Sequence, residues 1–260
     1  MTMVVESFLH EEPSSPYVRV FYAASFLAFV AIAVSEFAGN NLQYAKLLKS
    51  GRRNLIPSKV GMLIFYFPAL VLSVSSFWLF PGAGIRFLLL KSALTIHLLK
   101  RLFEVLFIHK FSGAMVLNTA ILVSISYIIF FGGMNYFQHR IQRFPEPSID
   151  LKYVGALLFV VGNYGNFYHH YLLSKLRREG EKEYKIPQGG LFNLVICPHY
   201  FCEILTFIGI AFIAQTFFAV MGTIGDIICL FGRSYTTRKW YLSKFEDFPN
   251  NVKALIPYIF

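Results

Sequence analysis

The segment from Asn163 to Glu203 reads N-Y-G-N-F-Y-H-H-Y-L-L-S-K-L-R-R-E-G-E-K-E-Y-K-I-P-Q-G-G-L-F-N-L-V-I-C-P-H-Y-F-C-E. An apolar stretch leads into its beginning, and polar and cationic residues make up its middle. A second apolar stretch at its end contains His199 and Glu203. Ionisable side chains are costly inside a membrane helix and are usually kept there for function. The segment therefore predicts a chain of membrane helices and places the active site between two of them.

The composition of the whole chain supports this interpretation. Of its 260 residues, 56% are hydrophobic and 15% are charged, and the mean hydropathy is +0.54. A soluble domain carries about 25% charged residues. The net charge is +10, but the cations lie in clusters between apolar runs, and the basic face of a nucleic-acid-binding protein is missing. We therefore expect an all-α integral membrane protein that binds no nucleic acid.

Seven apolar runs are long enough to cross a bilayer, which takes about 20 residues in a helix. They are Val18–Phe37, Val60–Phe80, Ile85–Ile108, Ala114–Gly133, Tyr153–Leu173, Leu191–Gly209 and Ile210–Gly232. Gly209 is predicted to mark the boundary between the last two spans. With seven transmembrane helices, all four Lys/Arg clusters lie on one side, which predicts a cytosolic C-terminus. We expect one membrane domain over residues 1–260, whose first span is retained because no cation precedes Arg19 as in a signal peptide.

Polar residues inside the predicted spans indicate a cavity. In span three, His97, Arg101 and Glu104 follow one another at i, i+4 and i+7 and so share a helical face. That face is either a self-neutralising ladder of ion pairs or the polar wall of a cavity that opens to the cytosol. His199 and Glu203, four residues apart, share one face of their helix and are predicted to form a cavity wall.

The sequence predicts neither a metal site nor a standard nucleotide-binding turn. Cys197, Cys202 and Cys229 lack the paired spacing of a zinc site and are interpreted as small buried hydrophobic residues. No glycine-rich Rossmann turn, phosphate-binding loop or nucleophile elbow occurs. A bound nucleotide would instead meet the cationic loop, where Arg177 and Tyr184 offer a forked donor and a stacking face. Membrane topology alone also produces such a loop.

Several motifs of the second half together point to one family. They are G-N-F at Gly165–Phe167, L-R-R-E-G-E-K-E-Y-K-I-P-Q-G-G-L-F at Leu176–Phe192, the P-H-Y-F-C-E run, and the C-terminal K-W-Y-L-S-K-F-E-D-F-P-N-N-V-K-A-L-I-P-Y-I-F. By these motifs the chain resembles the steroid 5α-reductase family and its relatives, the very-long-chain enoyl-CoA reductases and polyprenal reductases. The resemblance begins near Ile56 and is strongest over residues 151–260. K-R-L-F-E-V-L-F-I-H-K-F-S, from Lys100 to Ser112, is more similar to the enoyl-CoA reductases.

The resemblance implies a cofactor, a membrane and a set of site residues. Such proteins are seven-helix enzymes of the endoplasmic reticulum that bind NADPH from the cytosolic side and reduce a C=C bond conjugated to a carbonyl. The motif positions imply cofactor contacts from Asn166, Arg177, Tyr184, Lys185, His199, Glu203, Arg233 and Tyr241. His97 and Arg101 are expected to contact the substrate. Tyr66 and Leu98 stand where the steroid branch has its catalytic glutamate and tyrosine, so Tyr66 is predicted to supply the donor to the carbonyl oxygen.

We therefore expect an NADPH-dependent reductase of a small lipid enone, with a 3-oxo-Δ4-steroid as the substrate. Two alternatives stay open. One is a trans-2-enoyl-CoA reductase of fatty-acid elongation, in which the cations from Lys100 to Lys110 would meet the CoA phosphates. The other is a non-catalytic membrane scaffold with the same fold. The sequence does not determine the oligomeric state.

Overall fold

The computed structural model describes residues 7–11, 15–39, 42, 47–48, 51, 53–176 and 183–260. Seven long helices make up most of this part of the chain. They are α1 Pro16–Phe37, α2 Ser58–Leu79, α3 Ile85–Phe103, α4 Leu117–Ile141, α5 Lys152–Lys175, α6 Pro198–Ala214 and α7 Phe217–Lys244. A π-helical turn, Glu104–Ile108, continues α3, and a 3-10 turn, Gly190–Asn193, precedes α6.

Two short strands join the beginnings of α2 and α4. β1, Leu55–Pro57, pairs antiparallel with β2, Ala114–Val116. The predicted fourth span, Ala114–Gly133, is therefore wrong at both ends, because its first residues form β2 and the helix continues to Ile141. The pairing holds the ends of two helices together at the side where the cationic cleft described below opens.

Four of the seven helices, α1, α2, α4 and α7, are long and apolar enough to cross a membrane. α6 is apolar but has 17 residues. α3 carries buried cations, and α5 carries asparagine and histidine side chains that lower its hydropathy. The structure thus agrees with an all-α membrane protein, while seven crossings stay a prediction. The other three helices, α3, α5 and α6, carry most of the polar residues of the site described below.

The predicted boundary at Gly209 between the last two spans is wrong. α6 continues through Gly209 to Ala214, and the chain turns at Gln215, whose φ of 47° is left-handed. The Gln215 amide oxygen accepts from Arg86 at 2.9 Å and from the Leu151 backbone at 2.8 Å. Its nitrogen donates to two further backbone carbonyl oxygens, at 2.6 and 2.9 Å. These bonds hold a side chain in a backbone conformation that usually favours glycine.

Gly209 instead serves the packing of α6 against α5. A Cβ atom on Gly209 would lie 2.5 Å from the backbone nitrogen of Phe159, and one on Gly162 would lie 2.5 Å from that of Thr206. No side chain fits at such distances, so the two helices contact each other through their main chains. Small residues that allow this close approach are typical of helix pairs in membranes.

We expect Gly162→Ala to lower the free energy of unfolding by about 1–3 kcal/mol, because the added methyl group has to push the α6 backbone away. Gly84→Ala is the matched control, since a Cβ at Gly84 meets no atom within 4 Å. Thermal unfolding of both variants in detergent measures the difference. Equal melting temperatures for the two variants would contradict the close approach of the helices.

Candidate active site

A buried ionic cluster lies between α2, α3 and α5. The Glu104 side chain is inaccessible to solvent, and its carboxylate lies 3.0 Å from Arg101, 3.1 Å from His170 and 3.5 Å from Lys100. Arg101 also donates from Nη2 to the Tyr66 hydroxyl oxygen at 2.5 Å. The ion pairs of the predicted ladder are therefore present. The cluster in addition contacts Tyr66, the residue predicted to be catalytic.

Asn166 extends this cluster from α5 to α6. Lys100 donates to the Asn166 amide oxygen. The Asn166 amide nitrogen donates to the His199 backbone oxygen at 2.7 Å and lies 3.4 Å from the Glu203 carboxylate. The His199 and His170 rings lie 5.2 Å apart between centroids. The structure thus brings together Asn166, His199 and Glu203, three of the residues that the motifs assign to the cofactor.

His97 lies one turn deeper in α3 than Arg101. Its Nδ1 atom is 3.2 Å from the Asn163 amide oxygen, and its ring packs against Phe131 and Phe207. Its Nε2 atom has no hydrogen-bond partner among the residues that the structure describes. His97 therefore marks the place where the polar cluster meets the aromatic core.

A cleft of about 260 Å³ adjoins the cluster. Tyr184, Lys185 and Tyr241 line it, together with His109 and Lys110. The His109 Nε2 atom is 3.9 Å from the Glu104 carboxylate, so the cleft and the cluster share a border. The cleft thus combines two cations with aromatic side chains, as the binding of a phosphate-bearing ligand with a flat ring requires.

Arg233, which the motifs also assign to the cofactor, does not join this group. Arg233 donates to the buried Glu36 carboxylate at 2.9 Å and to the Tyr200 hydroxyl at 3.4 Å, and so connects α7 with α1 and α6. Tyr200 in turn contacts the His199 ring, with 4.3 Å between centroids. Arg177 lies outside the described residues. Its contact with phosphate stays a prediction.

Three side chains of the cluster have the composition of a metal site. Glu104, His109 and His170 each offer one ligand atom, and these atoms lie within 4.8 Å of one another. However, Arg101 Nη1 is 3.0 Å from Glu104 and 3.1 Å from His170, so a guanidinium group is already their positive partner. A metal ion would have to displace it. The expected absence of a metal stays a prediction.

A second cavity, of about 110 Å³, lies among α1, α4, α6 and α7. Its lining is mostly apolar, but it includes Tyr127 and Asp226, neither of which is among the residues predicted from the sequence. The Tyr127 ring meets the Tyr66 ring edge-on at 5.3 Å between centroids, so one side chain separates this cavity from the cluster. A carboxyl group in the middle of an apolar span is a signal that could have revealed Asp226.

Comparison with known proteins finds relatives of this chain among very-long-chain enoyl-CoA reductases and steroid 5-alpha-reductases. The family model described as 3-oxo-5-alpha-steroid 4-dehydrogenase matches residues 114–260, which is more than half of the chain. The chain is 34% identical over 170 residues to a very-long-chain enoyl-CoA reductase of Dictyostelium discoideum, over 64% of this chain and 55% of that protein. It is 41% identical over 107 residues to the steroid 5-alpha-reductase DET2 of Gossypium hirsutum, over 41% of this chain and 42% of that one.

A third relative is the 3-oxo-5-alpha-steroid 4-dehydrogenase 2 of Homo sapiens, with 38% identity over 112 residues, 43% of this chain and 44% of that one. The chain spans about half the length of the curated relatives it matches. The range of the family model contains α4 to α7 but not α2 and α3. Tyr66, Arg101 and Glu104 therefore lie outside the matched range.

Proposed function

The chain belongs to the 3-oxo-5-alpha-steroid 4-dehydrogenase family, and from that premise we propose that it is an NADPH-dependent reductase of a C=C bond conjugated to a carbonyl, with a 3-oxo-Δ4-steroid as substrate. The family resemblance predicted from the motifs is thereby confirmed. The observation that carries the proposal is the border between the cationic cleft and the cluster in which Arg101 donates to Tyr66. We place the enzyme in the endoplasmic reticulum membrane with a cytosolic C-terminus.

The residues of the cleft fit a phosphate-bearing dinucleotide. Lys110 and Lys185 supply charge for the phosphates, and Tyr184 and Tyr241 supply aromatic faces. In this proposal Asn166, His199 and Glu203 would hold the nicotinamide end. Bound there, NADPH supplies the hydride for the reaction. The family's own name and the predicted motif positions support the cofactor.

Tyr66 is the proposed donor to the substrate carbonyl oxygen. Arg101 donates to the Tyr66 oxygen, so the phenolic hydrogen stays available for another acceptor. When hydride adds to the β-carbon, an electron pair moves to the carbonyl oxygen, and a hydrogen bond from Tyr66 stabilises the resulting enolate. A proton then adds to the α-carbon. Glu104 and His170 hold Arg101 in place through contacts of 3.0 and 3.1 Å.

Oxidation of NADPH by the purified protein tests this function. The substrates to compare are 3-oxo-Δ4-steroids, trans-2-enoyl-CoAs and polyprenals, each offered in detergent and in lipid nanodiscs. Turnover of a steroid enone is the expected result. Tight NADPH binding without turnover of any of the three classes would contradict the proposal and favour a scaffold.

One observation favours the enoyl-CoA reductase as a second candidate. The match to that enzyme of Dictyostelium discoideum covers 170 residues, against 107 for the steroid 5-alpha-reductase of Gossypium hirsutum. However, only some of the cations from Lys100 to Lys110 are in a position to meet CoA phosphates. Lys100 and Arg101 are held in the buried cluster, and Lys110 lines the cleft. CoA phosphates would therefore meet Lys110 rather than the α3 cations.

We expect Lys185→Ala to raise the NADPH dissociation constant about tenfold or more, because a hydrogen bond to a charged group is worth about 1.5–3 kcal/mol. Lys175→Ala is the matched control, since the Lys175 ammonium group lies over the Tyr171 ring, 4.9 Å from its centroid. Fluorescence titration of NADPH at low and high salt measures both constants. If the two variants bind NADPH equally well, the phosphates do not lie at Lys185.

A further inference from the structure

Asp226 places a carboxyl group against the apolar cavity among α1, α4, α6 and α7. Its Oδ2 atom is inaccessible to solvent and has no hydrogen-bond partner among the described residues. The surrounding lining includes Phe29, Phe130 and Phe207. A buried polar atom without a partner costs about 1–3 kcal/mol, and ionisable residues inside membrane helices are usually functional. The Oδ2 atom therefore lacks a partner within the part of the chain that the structure describes, and a ligand in the cavity could supply one.

Three of the neighbouring polar groups are already engaged elsewhere. The Ser126 hydroxyl lines the same cavity but donates to the Leu122 backbone oxygen at 3.0 Å. Thr223, one turn before Asp226, directs its hydroxyl to the Phe207 backbone oxygen at 3.4 Å. Arg233, two turns after it on α7, pairs with Glu36 at 2.9 Å. None of these three bonds involves Asp226, which lines the cavity.

The helices that enclose the cavity approach each other closely. A Cβ atom on Gly222 would overlap the Phe130 ring, and one on Gly225 would lie 2.7 Å from Phe29. These contacts bring α7 against α4 and α1 and leave Asp226 between two aromatic walls. A ligand with a hydrocarbon body would fill such a space, and its polar group would meet Asp226. The Tyr127 ring lies between this cavity and Tyr66, so a ligand that meets both Asp226 and Tyr66 has to displace that one side chain.

We propose that Asp226 binds a hydroxyl group on the lipid and thereby makes this enzyme select hydroxylated enone lipids. The inference rests on the proposed function, because it assumes that the enone end of the same lipid reaches Tyr66. A hydroxyl both donates and accepts a hydrogen bond, so it pairs with a carboxyl group in either protonation state. A site that hydrogen-bonds a hydroxyl rejects the analogue without it, because the buried polar group is then left unpaired.

The test compares two 3-oxo-Δ4-steroids that differ only by a hydroxyl on the ring farthest from the enone. Their binding to the full chain in nanodiscs is measured by equilibrium dialysis, without turnover. We expect the wild type to bind the hydroxylated steroid about tenfold more tightly or better, which corresponds to one hydrogen bond that satisfies a buried group. Asp226→Ala should abolish this difference in affinity, because it weakens the binding of the hydroxylated steroid alone.

Two further variants separate recognition from a structural effect. Asp226→Asn should keep part of the ratio, since an amide also pairs with a hydroxyl. Ser126→Ala, in the same cavity, should keep the wild-type ratio because its hydroxyl already bonds to Leu122. Asp226→Ala is expected to fold, since its Oδ2 atom makes no hydrogen bond to a described residue that the change could break. Thermal unfolding of each variant verifies this.

Several outcomes would overturn the inference. The first is that the wild type binds both steroids equally well, and the second is that the preference for the hydroxylated steroid survives Asp226→Ala. The third is that Asp226→Ala weakens the binding of both steroids equally, which would show that Asp226 meets the carbonyl group they share. NADPH oxidation is followed separately with the same two steroids. A preserved binding ratio without any turnover would contradict the reductase function and leave the role of Asp226 standing. Turnover of both steroids with equal KM would contradict hydroxyl selection and leave the reductase function standing.

Discussion

Tyr66→Phe is expected to lower kcat about 10²–10³-fold and to leave the NADPH dissociation constant unchanged. The change removes the hydrogen bond to the developing enolate, and the loss of one such donor has an effect of that size. The ring stays in place, so its edge-on contact with Tyr127 and its position 4.9 Å from the Arg101 guanidinium carbon are retained. Steady-state kinetics on a steroid enone, with a parallel NADPH titration, measure both quantities.

Tyr164→Phe provides the matched control for this prediction. Tyr164 lies on α5 and is 71% exposed, so the loss of its hydroxyl should change neither kcat nor cofactor binding. If Tyr66→Phe turns over substrate as fast as Tyr164→Phe, Tyr66 is not the donor. If Tyr66→Phe loses NADPH affinity in proportion to kcat, Tyr66 contributes to the cofactor site instead.

Glu104→Leu is expected to lower the free energy of unfolding by about 3–5 kcal/mol, because it leaves buried cations without their counter-charge. The Glu104 side chain has no accessible surface, and the Lys100 and Arg101 side chains that face it are only 11% and 12% exposed. Denaturation in mixed micelles, followed by circular dichroism, measures the loss.

Two comparisons show whether the loss comes from unpaired charge. Glu246→Leu, at an exposed carboxylate, should change stability by less than about 0.5 kcal/mol. Glu104→Leu combined with Lys100→Met and Arg101→Leu should recover part of the stability, because replacing a buried ionic group by apolar side chains removes the charges together. A triple variant that is less stable than Glu104→Leu alone would show that packing, and not charge, determines the effect.

The helices could be predicted from the sequence where hydropathy alone determines their ends. The predicted span Ile85–Ile108 coincides with α3 and its π-helical turn. The end of α6 could not be predicted, because it depends on partners that are distant in sequence. Gln215 turns the chain by bonding to Arg86 and Leu151, and Gly209 is a contact with Phe159 rather than a helix end. No local pattern distinguishes a glycine that ends a helix from one that packs against a neighbour.

The candidate site was accessible from the sequence only where motifs or helical spacing link its residues. Asn166, His199 and Glu203 come from such motifs and do meet in the structure. The hydrogen bond from Arg101 to Tyr66 joins residues 35 positions apart on two different helices, and no spacing rule connects them. Asp226 could have been found as an ionisable residue in an apolar span. That its Oδ2 atom has no partner among the described residues is visible only in three dimensions.

The main-chain contact between α5 and α6 has a consequence for how ligands reach the site. Because Gly155, Gly162 and Gly209 bring the two backbones together, these helices can separate only by opening a void along both. We therefore expect α5 and α6 to move as one unit, which carries Asn166 and Glu203 together. For the lipid ligand proposed above, we therefore expect entry between α1 and α4, which line the cavity at Asp226 together with α7.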